Sequence, residues 1–425
     1  MEENNNWQKY CFRPAGAISG NSVRLLKNGE EAFGGMIEAV KAAKKYILLE
    51  FYAFADDAAG RLFSGLLKEK ISQGVGVYLI RDAVGSILTD QDFFSGLAAD
   101  GARVAEFRPV VLWKPYWNWV KRDHRKTLCV DGVKAFVGGF NITEADLPRS
   151  LGGRGWKDAQ VRVEGPAVAE IEKLFWESWF ASHLTPPPAS GPKGPASAKQ
   201  TADPSQAGGV VVAPEPGGAP KADFAENVSP LAVPWLSKNY PAGDVLVSIV
   251  SVSGIRNYRS IRRSYRYAID NAGDNIYITN AYFLPDRFIY RRLIRAVRRG
   301  VDVRIIVPLK TDHPYVRWAS WAMYAHMLKN GIRLYEWQGE ILHSKTAVID
   351  GVWSSVGSHN LDHRSLHYNM ELNVNVFSRK FGSELRRLFM EDLKGSKELS
   401  LDEVRARPLL SKAASKLLYL FRSFG

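Results

Sequence analysis

The sequence predicts an α/β protein of two similar halves, each a mixed β-sheet flanked by helices. Three observations predict it. A gapped polar pattern occurs twice, the strand-like and helix-like runs around it recur in the same order, and a Pro/Gly-rich stretch separates the two sets. This divides the chain into a first half (1–184), a linker (185–223), a second half (224–396) and a basic amphipathic tail (397–425).

The pattern is His124-Arg125-Lys126 with Asp131 five residues on, repeated as His343-Ser344-Lys345 with Asp350. Gly138 and Asn141 lie fourteen and seventeen residues after His124, and Gly357 and Asn360 lie at the same distances after His343. A lone His-x-Lys means little in a basic chain. A five-residue gapped pattern found twice marks a duplicated chemical site.

The other elements fall in matching order. Strand-like Tyr46-Ile47-Leu48-Leu49 and Gly76-Val77-Tyr78-Leu79-Ile80 correspond to Ile276-Tyr277-Ile278 and Asp302-Val303-Arg304-Ile305-Ile306, each after a helical segment. Thr127-Leu128-Cys129-Val130 and Thr346-Ala347-Val348-Ile349 run into Asp-Gly, a hairpin signature. Each His-x-Lys is therefore expected on a strand, with His and Lys leaving one face into one cleft. Asp131 and Asp350 belong to the catalytic pattern, but their place at the turn reads as structural rather than chemical. Downstream, Asp158 to Val163 matches Glu371 to Val376, and a helix containing Leu-Phe follows in both copies, at Leu174-Phe175 and Leu388-Phe389.

Between the halves, Thr185 to Pro220 holds nine prolines and six glycines in thirty-six residues. Such a segment buries too little apolar surface to offset its ordering entropy and reads as a linker or surface loop. With 425 residues and 46% hydrophobic content the rest can build a substantial core. Two cysteines, Cys11 and Cys129, give no disulfide framework, which is compatible with a reducing compartment.

The net charge of +13 favours an anionic partner without choosing between lipid phosphate and nucleic acid. Much of the excess sits in Arg291, Arg292, Arg295, Arg298 and Arg299, on a helix that reads as a solvated face. Trp113, Tyr116, Trp117 and Trp119, interleaved with Lys and Arg just before the first motif, are candidate substrate-binding residues. They suit the headgroup layer of a bilayer, core packing, or stacking of unpaired bases. Pro314 to Tyr324 carries a similar aromatic load, suited to core or to an acyl-chain groove. The tail from Leu409 to Arg422 reads as a short amphipathic helix that docks on the protein or on lipid. No run of eighteen apolar residues occurs and the start is acidic and polar, so the chain is expected neither to span a membrane nor to be exported.

Taken together, the paired His-x-Lys-x4-Asp motifs resemble those of the phospholipase D superfamily, over nearly the whole chain. The stretch Val356 to Ser365, with Asp123-His124-Arg125-Lys126, is more narrowly similar to bacterial cardiolipin synthases of the short type without N-terminal transmembrane helices. That resemblance implies two halves related by a pseudo-two-fold and sharing one active site, and phosphodiester transfer there through a covalent phosphohistidine, His124 attacking phosphorus and His343 protonating the departing alcohol. It implies that Lys126, Lys345, Asn141 and Asn360 hold the phosphate oxygens, and that a carboxylate of the partner half backs each histidine: Glu371 behind His124 and Asp158 behind His343. The other reading of these two carboxylates is that both merely begin exposed strands. Ser358 stands where the first half has Gly139, so a hydroxyl able to touch phosphate or the lysine occurs once. His359, His363 and His367 read as local structural residues.

The expected activity is cardiolipin formation from two phosphatidylglycerol molecules with release of glycerol, without metal or other cofactor, by a monomer attached peripherally to the cytoplasmic side of the cell membrane. Hydrolytic phospholipase D activity stays open. So does a metal-independent phosphodiesterase acting on nucleic acid, although no specific nucleic-acid partner is expected.

Overall fold

Short β-branched and aliphatic runs separated by glycines and capped helices build the two halves in the same order. The computed structural model describes residues 6–110, 121–183, 243–252 and 259–420. The linker 185–223, the aromatic residues Trp113, Tyr116, Trp117 and Trp119, and the last five residues of the tail lie outside the described residues. The first half contributes β1 (Ile18–Leu26), β2 (Tyr46–Phe51), β3 (Gly76–Asp82), β4 (Arg103–Phe107), β5 (Lys126–Val130), β6 (Lys134–Gly138) and β7 (Gln160–Glu164). The second contributes β8 (Val245–Val252), β9 (Asn275–Asn280), β10 (Asp302–Pro308), β11 (Arg333–Trp337), β12 (Lys345–Ile349), β13 (Trp353–Gly357), β14 (Glu371–Phe377) and the short β15 (Ser396–Glu398).

Among the described residues these strands form one fifteen-stranded mixed sheet, ordered β15-β11-β10-β9-β12-β13-β14-β8-β1-β7-β6-β5-β2-β3-β4. Apart from β15, the order is a palindrome about the antiparallel β1–β8 pair. In each half three strands run parallel, as βαβ units require, and the motif hairpin joins their inner edge antiparallel.

Local signals set the helices. Asn28, Asp57 and Asp286 each accept backbone N–H bonds at the helix starts Gly29–Ala42, Ala58–Ser72 and Arg287–Arg298. The first two pack with Gln91–Ala99 on the outer face of the first half, and Ser260–Asp270, Arg287–Arg298 and Pro314–Lys329 on that of the second. Between the halves lies a shared core. It takes Phe175 and Trp179 from helix Ala167–His183 and Phe381, Leu385 and Phe389 from helix Arg379–Lys394. The sheet twists strongly enough that β6 and β7 come against β13 and β14. The motif ends of both halves therefore meet.

The tail is part of the second half's structure. β15 pairs with the edge strand β11, and helix Leu409–Leu420 packs on helix Pro314–Lys329. A boundary at 397 cuts through that strand, because the edge of β11 offers unpaired backbone groups that β15 satisfies.

Candidate active site

Two symmetric crossings build the site. Ahead of the first motif, Asp123 bridges Met370, with His124 N–H donating to Met370 O at 2.9 Å and Met370 N–H to Arg122 O at 2.8 Å. Ahead of the second, Leu342 bridges Lys157, with His343 N–H donating to Lys157 O at 2.7 Å and Lys157 N–H to Ile341 O at 2.9 Å. Each histidine's backbone is thus tied to the residue preceding a carboxylate of the other half.

The side chains follow from that register. Nδ1 of His124 lies 3.0 and 3.1 Å from the two oxygens of Glu371, and Nδ1 of His343 lies 2.9 Å from Oδ2 of Asp158. Both carboxylates are fully buried, which rules out the exposed-strand reading of Asp158 and Glu371. With Nδ1 engaged, Nε2 of each ring is left without a protein partner among the described residues. Both rings line one cavity of about 580 Å³, together with Asn141 and Asn360. Asn141 Oδ1 accepts from Ala53 N–H at 3.2 Å, which turns its amide NH2 away from the backbone.

The two histidines sit in opposite electrostatic surroundings. Burial, then the cations of Lys126 and Lys345, the His343 ring and Arg364, hold the His124 pKa well below the ordinary imidazole value. His343 is faced by Asp158, Asp146 and Asp312. Burial raises the Asp146 carboxyl to about 6, with His343 opposing, whereas at Asp312 the rings of His343 and His313 outweigh burial and lower the pKa. A neutral ring suits the first position, and carboxylates surround the second.

Two imidazoles, each held through Nδ1 by a buried carboxylate, thus face one cavity. A family model described as "Cardiolipin synthase, PLD-like domain" matches residues 36–179 and 265–393. The chain belongs to this cardiolipin synthase, PLD-like family. Membership makes it an enzyme of the phospholipase D type, as the sequence motifs implied. Cardiolipin synthase A of Pseudomonas syringae pv. syringae is 29% identical over 388 residues, covering 91% of this chain and 71% of the relative. Cardiolipin synthase 1 of Staphylococcus aureus is 29% identical over 401 residues, covering 94% and 73%. Phosphatidylserine synthase of Haemophilus influenzae shares the fold, with a TM-score of 0.67 at 14% identity over 94% of this chain and 95% of that one.

Within this family fold, three expectations are corrected. The histidines do not lie on strands: β5 and β12 begin at Lys126 and Lys345, because each histidine leaves its own ladder to pair with the other half. His and Lys consequently do not project side by side into one cleft. Both lysines are fully buried behind the cavity wall, each ammonium donating to the carbonyl of its own histidine, at 2.8 Å for Lys126. Burial pushes the Lys126 pKa down to about 7 against the pull of Glu371, and lowers that of Lys345 against Asp158, which lies 3.6 Å away.

Asp131 and Asp350, of the catalytic pattern, hold backbone in this structure, in keeping with the structural reading of their place at the turn. Asp131 accepts backbone N–H groups of Lys44, Lys45 and Tyr46, and Asp350 those of Gly273, Asp274 and Asn275, tying each hairpin turn to the start of the neighbouring strand. Ser358 is not a substrate contact either. Its hydroxyl is fully buried, donating to Glu371 Oε2 at 2.5 Å and accepting from Leu372 N–H at 3.1 Å. In the first half a Cβ at Gly139 would collide with the Asp158 carboxylate, so only glycine fits there.

Several cavity residues carried little sequence signal. Tyr52 packs edge-on to His124 with ring centroids 5.1 Å apart, and Trp156 and Tyr282 flank His343 at 5.8 and 6.2 Å. Arg364 also lines the cavity; among the described residues its guanidinium makes no hydrogen bond or ion pair, and Nε is sealed from solvent. Tyr52 follows β2 and Tyr282 follows β9, the strands beside each motif strand, which is the one cue that sequence offered.

Proposed function

We propose that this enzyme transfers a phosphatidyl group between glycerophospholipids, making cardiolipin from two phosphatidylglycerol molecules and releasing glycerol. One observation carries the reading: imidazoles from the two halves line a single cavity, each held through Nδ1 by a carboxylate of the opposite half. The relatives from Pseudomonas syringae and Staphylococcus aureus are cardiolipin synthases, which supports the same product.

His124 Nε2 attacks phosphorus, the phosphorus–oxygen bond to glycerol breaks, and His343 gives its Nε2 proton to the leaving oxygen. Glycerol leaves a phosphohistidine stabilised through Nδ1–H by Glu371. The terminal hydroxyl of a second phosphatidylglycerol then gives its proton to the now neutral His343 and attacks phosphorus. The phosphorus–nitrogen bond breaks and both rings return to their starting states. The Asn141 amide donates to the phosphate oxygens, and Lys126 and Lys345 stabilise the added negative charge from behind the wall. The unpaired Arg364 guanidinium receives the phosphate of the accepting lipid, which favours a lipid alcohol over water.

No helix among the described residues is long and apolar enough to cross a membrane. A monomer acting peripherally at the cytoplasmic membrane face fits this chemistry. The test is incubation of the pure protein with phosphatidylglycerol vesicles and a chelator, followed by analysis of lipids and glycerol. Cardiolipin with glycerol is expected. Phosphatidic acid would make the enzyme a hydrolase, and DNA cleavage with no lipid product would replace the substrate class.

A further inference from the structure

The C-terminal helix Leu409–Leu420 packs Leu418 and Tyr419 against the core but turns most of its leucines outward. Leu409, Leu410, Leu417 and Leu420 are 82%, 83%, 57% and 69% exposed, while Ser415 is only 3% exposed. Leu409, Ala413, Leu417 and Leu420 share one helix face, so the outward side is a continuous apolar stripe. The inward serines are satisfied locally, Ser415 Oγ donating to Ser411 O and Ser411 Oγ to Pro408 O, both at 2.7 Å. Water is the wrong solvent for such a face.

Two further features say what covers it. The helix carries Lys412 and Lys416 and no acid, in a chain of net charge +13. It also borders the active-site cavity: Leu418 lines that cavity, as do Tyr315, Val316 and Ala319 of the helix on which it packs. A cavity of about 580 Å³ encloses one drug-sized ligand, not the four acyl chains of two phospholipids. The chains of both substrates therefore stay in the bilayer during reaction, and the cavity mouth has to face it. On the first half, Leu88 is 98% exposed in a loop whose Ser86 Oγ donates to Tyr52 O at 3.4 Å, at the same cavity.

We infer that the Leu409–Leu420 helix lies in the surface of an anionic bilayer, apolar face down, and holds the cavity mouth against the lipid. This deepens the phospholipid reading above and rests on it for the substrate alone. The helix is an interfacial one, with leucines entering the acyl boundary and lysines meeting lipid phosphates.

The test is sedimentation of the full chain with vesicles of equal parts phosphatidylglycerol and phosphatidylcholine, comparing wild type with the triple variant Leu409→Asp, Leu417→Asp, Leu420→Asp. Wild type should sediment, and the variant should bind about tenfold or more weakly, since interfacial binding scales with buried apolar area. On dispersed short-chain phosphatidylglycerol the variant should turn over as wild type does, which shows that it is folded and its site intact. Equal vesicle binding by the two proteins overturns the inference, as does a wild-type dimer that the variant converts to monomer, which would make the face a subunit contact. Wild type that binds vesicles but forms no lipid product leaves the docking face standing and removes the transferase reading instead.

Discussion

Replacing Glu371 by Gln preserves volume and removes the charge that backs His124. In the native site both carboxylate oxygens lie 3.0–3.1 Å from Nδ1, and one also takes the Ser358 hydroxyl at 2.5 Å. When Nε2 bonds to phosphorus the ring becomes cationic, and the carboxylate holds its Nδ1 proton. A hydrogen bond to a charged group is worth about 1.5–3 kcal/mol, which converts to a roughly 10- to 150-fold slower formation of the phosphoenzyme. Lys126 adds to this. Its pKa, about 7 with Glu371 opposing burial, falls further once that charge is gone, so the lysine is neutral at pH 7 and no longer supports the phosphate. Rapid quenching with phosphorus-labelled phosphatidylglycerol, reading the acid-labile and base-stable phosphoenzyme, measures the step. A wild-type rate in a Glu371→Gln protein that melts normally would refute the role of the carboxylate.

Three further outcomes are expected. His343→Ala should be rescued by a phosphodiester whose leaving group is p-nitrophenol, which departs without a proton, whereas His124→Ala should stay inactive; rescue of His124→Ala instead would exchange the two roles. Because the His124 pKa is depressed, the ring stays neutral into acid. The acid limb of the kcat/KM profile should therefore fall below pH 6.5, and Arg364→Leu, which removes one depressing cation, should move it upward; a limb above pH 6.5 in wild type contradicts this. Asp131→Ala removes an acceptor of three backbone N–H groups and places alanine at φ 54°. It should cost about 3 kcal/mol in urea unfolding with activity per folded molecule unchanged, and activity lost from folded protein would return Asp131 to the catalytic set.

The residue pattern alone determined the duplication, the matching order of strand-like and helix-like runs along each half, and the two His-x-Lys motifs, while Asp158 and Glu371 entered through the resemblance that those motifs carry. These are local or periodic properties: apolar runs, Asp-Gly turns and fixed spacings are written in consecutive residues. The crossing of the carboxylates, which the resemblance implies, is carried in space by the Asp123–Met370 and Lys157–Leu342 bridges between residues far apart in the chain, and only the tertiary structure shows those bridges. It alone also moved the histidines off their strands, buried Ser358 against Glu371, brought Arg364 and the two tyrosines to the cavity, and turned the leucines of the last helix outward. Which face of an element meets a neighbour depends on twist and packing between distant segments, and no window of sequence carries that information.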